Sequence, residues 1–567
     1  MRATRRSVLK AAGALAAGGG LTAFPVRTAG ATGPAAPRGT TLDATVRRGP
    51  AVNAQGYRRL VSGPGEPHVV RDGLGARAKA GRQSRRTCLL AFAHLTDIHV
   101  VDAQSPARVE YLDRYNDGPG SPLLFASAYR PQEFLSTQIA DRVVAAVERV
   151  GRGPAAGRRL DFAICTGDGV DNCQYNELRW QLGVLDGTPV RPDSGDPQRY
   201  EGVADAAPAS YDVHYWHPGG APSGAPADDL RRRHGFPVVK GLLSAATRPF
   251  TPGGLSVPWY TCYGNHDGLV QGNFPRSFQL TVAATGPLKV TTLPAGVSPD
   301  DLARGDTAAG RALAVAPARV VTADPGRRVL SRSETVAEHF RTGGRPVGHG
   351  YTSRNVTDGT AYYAFDPAPR VRAVVLDTVN PNGQSNGSLD ARQFGWLRAQ
   401  LEGATRLRKL VVVFSHHTST TLDNPLVSVD EPQPRVLGPE IVALLLSFPA
   451  VVLWVDGHTH TNAVRAHRRA TGGGFWEIST ASHIDWPSQS RLLELVDNRD
   501  GTLSVFGTVL DAAAPLSYGG ALGASTGLAS LARELAANDP QEGTDARRGK
   551  VEDRNVELLL RGPYAGS

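Results

Sequence analysis

Five short stretches of the chain combine carboxylates, a carboxamide and imidazoles at spacings suited to metal ligation: Asp97-Ile98-His99, Gly167-Asp168, Gly264-Asn265-His266-Asp267, His416-His417 and Gly457-His458-Thr459-His460. Oxygen and nitrogen donors without cysteine suit Mn, Fe or Zn better than a closed thiolate-rich structural zinc site. Asp97, His99, Asp168, Asn265, His416, His458 and His460 are more ligands than one ion takes. They suit two divalent or trivalent ions that share a carboxylate. The His-x-His spacing carries a geometric expectation. Alternate residues on a strand point the same way, so both imidazoles face one spot if the extended backbone continues past Asp456.

Residues so distant in sequence meet only if the elements bearing them end on one edge. Each stretch follows an apolar run: "CLLAFAHL" before Asp97, "LDFAIC" before Asp168, "VPWYTCY" before Asn265, "KLVVVFS" before His416 and "AVVLWV" before Gly457. Strand ends on one edge of a parallel sheet are where α/β folds place their ligands. Helical spacing is expected over 131–150, 390–404 and 438–447, a hairpin over 360–366 and 371–378, and three further strands near the end in "GGFWEIST", "SRLLELVDN" and "LSVFGTVL". The fold class expected is α/β, two packed sheets covered by helices. Two long stretches rich in Gly, Pro and Asp, about 173–256 and 270–355, interrupt the rhythm and are expected to be insertions over the site.

The five stretches, in this order, resemble the calcineurin-like metallophosphoesterase superfamily: D-x-H, G-D-x-x-D, G-N-H-D, a histidine pair after a strand, and G-H-x-H. "GSLDARQFGWLRAQL" (387–401) is similar to that superfamily's G-x-L-x-x-x-Q-x-x-W-L segment. The resemblance covers about 90 to 510. It implies a metallophosphoesterase-type β-sandwich flanked by helices, and hydrolysis of a phosphate ester by a hydroxide bridging two metals. It implies Asp97, His99 and His460 on the first ion, Asp168 on both, and Asn265, His416 and His458 on the second. Proline often stands two residues after the matched His416; here it is Thr418, so His417 stays a second candidate. The resemblance implies that His266 stabilises the transition state or protonates the leaving group, and that Asp171 pairs with it. Ser/Thr phosphatases carry an arginine after that acid. Here it is Asn172, which counts against a protein phosphatase. A phosphodiesterase acting on glycerophosphodiesters or nucleotides is the narrower alternative, and a secreted metal-binding protein without catalysis the third reading.

The formal net charge of the 567 residues is +9, but residues 1–31 hold five basic residues and no acid; without them 57 basic and 53 acidic residues remain. That balance gives no case for nucleic acid. The N-terminus, "MRATRRSVLKAAGALAAGGGLTAF", resembles a twin-arginine export signal, with Arg5 and Arg6 leading a stretch too short to span a bilayer and a small-residue cleavage site at 29–31. It implies the twin-arginine export machinery as partner, a secreted, periplasmic or cell-wall location and no stable membrane anchor. The expected divisions are a signal over 1–31, a loosely ordered segment over 32–85, the metallophosphoesterase domain over 86–512 and a helical extension over 513–567. Cys88, Cys165 and Cys262, in or beside apolar runs, are expected to be buried thiols, and Cys165–Cys173 is the best single pairing if a disulfide forms. His94 is expected to be packed in the core and His214, His217 and His234 to be solvated, while for His483 a pocket-lining and a purely structural place stay equally open.

Overall fold

Strands such as 411–414 and 451–455 carry no polar alternation, so both their faces must be covered. The computed structural model, which describes residues 27–28, 39–77, 79–115, 128–303, 307–428, 433–541 and 543–564, covers them with a second sheet on one face and helices on the other. The larger sheet holds β1 (Arg27–Thr28), β4 (Val69–Arg71), β5 (Thr87–Leu95), β6 (Phe162–Cys165), β7 (Trp259–Thr261), β16 (Gln489–Asp497), β17 (Thr502–Asp511) and β18 (Val556–Arg561), in the order β1-β4-β18-β17-β16-β5-β6-β7. The smaller holds β10 (Tyr363–Ala368), β11 (Val371–Val375), β12 (Leu410–Phe414), β13 (Val451–Asp456), β14 (Ala463–Arg468) and β15 (Gly474–Ser479), in the order β10-β11-β12-β13-β15-β14. Two hairpins stand apart, β2 (Ala44–Ala51) with β3 (Arg58–Pro64), and β8 (Leu288–Val290) with β9 (Ala318–Val320).

Alternation along each strand sorts the core into layers. Phe92 and Ile164 of the larger sheet share one cluster with Val375, Val412, Phe414 and Val455 of the smaller. Phe92 stacks on Phe162 at 5.0 Å and meets Phe414 edge-on at 5.5 Å. Their neighbours Ala91, Ala93 and Leu95 face the helices Ser136–Val150, Tyr175–Asp186 and Ser525–Asn538. Val411, Val413 and Trp454 face Leu397 and Leu401 of the helix Ala391–Arg406, and Ile441 and Leu445 of the helix Gly438–Ser447. Each such side chain contributes ~1.5–3 kcal/mol by leaving water.

Strands β5, β6 and β7 run parallel, with Leu95 opposite Cys165 and Cys165 opposite Thr261. Strands β11, β12 and β13 are likewise parallel. The five polar stretches therefore leave the same kind of strand end in both sheets.

Several expectations need correction. β18 comes from the segment expected to be a helical extension, yet it lies inside the larger sheet between β17 and β4, and β4 comes from the segment expected to be loosely ordered. The boundaries at 86 and 512 thus cut through one sheet. All four cysteines are free thiols. Cys165 ends β6 under the helix layer and Cys173 packs with Ala107, Val270 and Val329, in separate clusters. His217 is buried, bonded to the carbonyls of Ala204 and Asp212, and His214 lies 3.3 Å from Asp113. The first long stretch contributes Leu182 and Trp216 to the core, which is why its histidines are not simply solvated. Of the expected signal, residues 1–26 and 29–31 lie outside the described residues. No helix among the described residues is long and apolar enough to cross a membrane.

Candidate metal centre

The backbone turns sharply at the exits of β5, β6 and β13. Asp97, His99, Asp168, His458 and His460 all take positive φ, at 49°, 47°, 50°, 64° and 54°. Non-glycine residues rarely adopt this region, at a cost of ~1–3 kcal/mol each that surrounding structure must overcome. The extended continuation expected past Asp456 is therefore absent. His458 and His460 are separated by turning backbone, and they point to different partners.

One group brings a ligand atom each from Asp97, His99 and His460 within 4.8 Å of one another, and a second does so for Asp97, Asp168 and His416. His99 Nε2 stands 3.1 Å from His460 Nε2, and His460 Nε2 lies 3.3 Å from Asp97 Oδ1. His416 Nε2 stands 2.9 Å from Asn265 Oδ1, 3.2 Å from His458 Nδ1 and 3.1 Å from Asp168 Oδ2. The same Asp168 oxygen lies 3.7 Å from His99 Nε2, so it sits between the two groups. All seven predicted ligands are brought together.

The opposite nitrogen of each ring shows which lone pairs face inward. His99 Nδ1 meets the Asp171 carboxylate at 2.9 Å and His460 Nδ1 meets that of Asp485 at 2.6 Å. Both carboxylates only accept, so both Nδ1 atoms donate. His416 Nδ1 donates to the carbonyl of Thr166 at 2.8 Å. His458 Nε2 lies 3.3 Å from Asn386 Oδ1, whose amide nitrogen is committed to Asp423, and so donates. Asn265 Nδ2 donates to the Gly272 carbonyl at 3.1 Å, which turns its oxygen inward. In the neutral rings the nitrogens about 3 Å apart at the centre of the site therefore carry lone pairs. Donors ~2.1 Å from a common ion stand roughly 3.0–3.4 Å apart, so the residues fit two metal ions.

Charge follows the same logic. Burial opposes the charge of His416, but the Asp168 carboxylate outweighs it and raises the imidazole to about 9. Burial lowers His99 to about 4 and His458 to about 3. Burial also opposes the charge on Asp97 and Asp168; imidazoles, chiefly His460 for one and His416 for the other, hold both below the usual carboxylate range. The Asp267 carboxylate accepts the backbone N–H groups of Asp168, Gly169, Val170 and Gly264, which locks the β6 and β7 exits together. A side chain on Gly264 would overlap Asp168, and one on Gly457 would overlap Thr96 and Asp97.

His417 also has a ring nitrogen within 4.8 Å of ligand atoms of His416 and His458, but its ring is committed elsewhere. Its Nε2 donates to the Ser385 carbonyl at 2.7 Å and its Nδ1 accepts from Thr378 at 2.7 Å, so both ring nitrogens are occupied. His266 stays partly exposed, its ring 4.6 Å from that of His99. Its Nδ1 donates to the Asp171 backbone carbonyl at 2.6 Å, while the Asp171 carboxylate lies 3.8 Å away and serves His99. The expected Asp171–His266 pairing is thus carried by the main chain. Burial opposes the charge of Asp171, and Arg108 overcomes it, holding the carboxylate well below its usual range. Asn172 is buried and accepts the N–H of Gln271. His94 is a core histidine, bonded to Thr166 and Thr480 at 2.8 Å each. His483 is buried behind the site, its N–H on the Asp97 carbonyl and both ring nitrogens without a hydrogen-bond partner. Sequence reasoning missed Asp485, Arg108, Arg130, Glu133 and Arg547, which stand behind the ligands. No local motif marks them, although an acid two residues after His483 was visible.

No family model and no curated protein matches the chain. Among solved structures, the crystal structure of a dimetal phosphatase from Danio rerio is similar over 75% of this chain and 100% of that one, at 12% identity and a TM-score of 0.30. A likeness of that strength carries no argument about activity.

Proposed function

We propose that the chain is a phosphoric ester hydrolase of the calcineurin-like metallophosphoesterase type, its two sheets forming that superfamily's sandwich. The observation that carries this reading is the set of inward lone pairs on His99, His460, His416, His458 and Asn265 arranged around the shared oxygen of Asp168. Asp97, His99 and His460 would hold one ion, Asn265, His416 and His458 the other, and Asp168 both. When bound, the ions supply Lewis acidity toward phosphate oxygens and lower the pKa of an attacking water. The chain's own work is to aim these donors, and the positive-φ turns and the Asp267 amide cradle do so before substrate arrives. His266 is the proton carrier. With Nδ1 committed to the Asp171 carbonyl, its Nε2 accepts a proton in the neutral ring and donates one to a leaving oxygen in the imidazolium. Export by the twin-arginine route, through Arg5 and Arg6, belongs to the same proposal.

The test is hydrolysis of p-nitrophenyl phosphate and bis(p-nitrophenyl) phosphate by the metal-stripped protein, with and without added Mn²⁺ or Zn²⁺, with metal content measured in parallel. Two bound ions and metal-dependent release of nitrophenolate from at least one ester are expected. Metal-replete protein inert toward both would refute the hydrolase reading.

A further inference from the structure

We propose that Asp485 is a positioning residue for His460, and that Arg130 joins it to Asp171, so that one buried chain of alternating charges sets the rings of His99 and His460 together. Arg547 Nη1 lies 2.6 Å from Asp485 Oδ2, and Arg130 Nε lies 2.7 Å from Asp485 Oδ1. Arg130 Nη1 reaches within 4.0 Å of Asp171 Oδ1. Arg108 Nη1 binds Asp171 Oδ2, and its Nη2 lies 2.7 Å from Glu133 Oε2. Three guanidiniums thus alternate with three carboxylates, and Arg108, Arg130, Glu133, Asp171 and Asp485 are all buried.

Each link has a defined task. The guanidiniums fix the planes of the two carboxylates, since planar forks admit few arrangements. The carboxylates then hold the Nδ1–H of His460 at 2.6 Å and of His99 at 2.9 Å. That leaves the two Nε2 atoms facing each other at 3.1 Å. His416 and His458 stand outside the chain, held by the neutral oxygens of Thr166 and Asn386. Partners behind a ligating histidine fix its tautomer and raise its basicity, and their loss typically weakens metal binding 10–100-fold. The affinity prediction rests on the two-metal reading; the ring orientation does not.

The experiment compares wild type, Asp485→Asn, Asp485→Glu and His460→Ala in the full chain, with Zn²⁺ affinity measured by chelator competition. Asp485→Asn should weaken one of the two Zn²⁺ ions ~10–100-fold and leave the other unchanged, and Asp485→Glu should recover part of the loss. In a His460→Ala background, Asp485→Asn should cost nothing further. A folded Asp485→Asn variant that binds both ions as wild type does overturns the proposal, as does an undiminished loss in the His460→Ala background. Nitrogen-15 NMR of histidine-labelled wild type, stripped of metal, needs no variant and settles the case if Asp485→Asn does not fold. Protons on Nδ1 of His99 and His460 are expected, and a His460 whose Nδ1 carries no proton overturns the proposal. Wild type that binds no Zn²⁺ would remove the two-metal reading while this measurement still tests the ring orientation.

Discussion

His266 and Asp171 are joined through the backbone: the imidazole Nδ1 donates to the Asp171 carbonyl at 2.6 Å, while the Asp171 carboxylate is turned to His99 at 2.9 Å. The acid therefore supports His99 and the main chain supports His266. Asp171→Asn should accordingly weaken metal binding ~10–100-fold, and saturating metal should restore much of the activity. Chelator titration together with turnover at saturating Mn²⁺ distinguishes this from a direct role in proton transfer, in which saturating metal would restore nothing.

His266→Ala should keep both metals and lower turnover by ~10²–10⁴-fold. The loss should shrink for nitrophenolate, which leaves without a proton. An equal loss for good and poor leaving groups would assign the ring to charge stabilisation instead, and loss of metal would make it a ligand.

His416 and His417 are neighbours with opposite fates. His416→Ala should remove one ion. His417→Ala should retain both, because the ring is committed to Ser385 and Thr378. It should instead lower stability by ~1–3 kcal/mol through the polar groups it orphans. Metal counting beside a urea melt reads both outcomes, and loss of metal in the His417 variant would revive it as a ligand.

The pH dependence of the metal-free protein follows from His416. Its folded pKa, about 9, lies above the ~6.5 of an unfolded histidine. The contribution is fully present below about pH 6.5 and is lost as pH rises through 9. Metal-free protein should therefore lose melting temperature between pH 7 and 9. That slope should shrink in His416→Gln and with Zn²⁺ bound, since a ligating imidazole needs no proton; the part that stays belongs to Glu133, Asp267 and Asp539, which burial raises to about 7. A metal-free melting temperature flat across this range would mean His416 is already neutral.

Gly457→Ala should perturb the site from behind, because the added methyl overlaps Thr96 and Asp97. Reduced metal content with near-native circular dichroism is expected. Wild-type metal affinity would show that the strand exit can yield.

Much of this was legible because parallel strands place their ends together, so five apolar runs followed by Asp, His and Asn already named the seven residues that converge. Helices with clear periodicity, such as Gly438–Ser447, fell where the pattern put them. What escaped was non-local. β14, "AVRAHR", is too polar to read as a strand, and it forms because β15 offers it an edge. β18 looked like a tail until β17 and β4 were seen flanking it. Asp485, Arg130 and Arg547 carry no spacing signal, since the guanidiniums reach Asp485 across 355 and 62 residues. The turn at His458 and His460 was misjudged for a local reason: strand alternation was extended beyond Asp456, where the hydrogen-bonded ladder ends.

The position of β18 bears on the order of events during synthesis. The larger sheet is incomplete until residue 561 is available to pair with Thr502, and Asp485 lacks Arg547 until the same stretch has emerged. A nascent chain holding every ligand from Asp97 to His460 still lacks the strand and the guanidinium that finish their support. Long-range pairing of this kind is slow. The support behind His460 is thereby completed last, by residues 547–561.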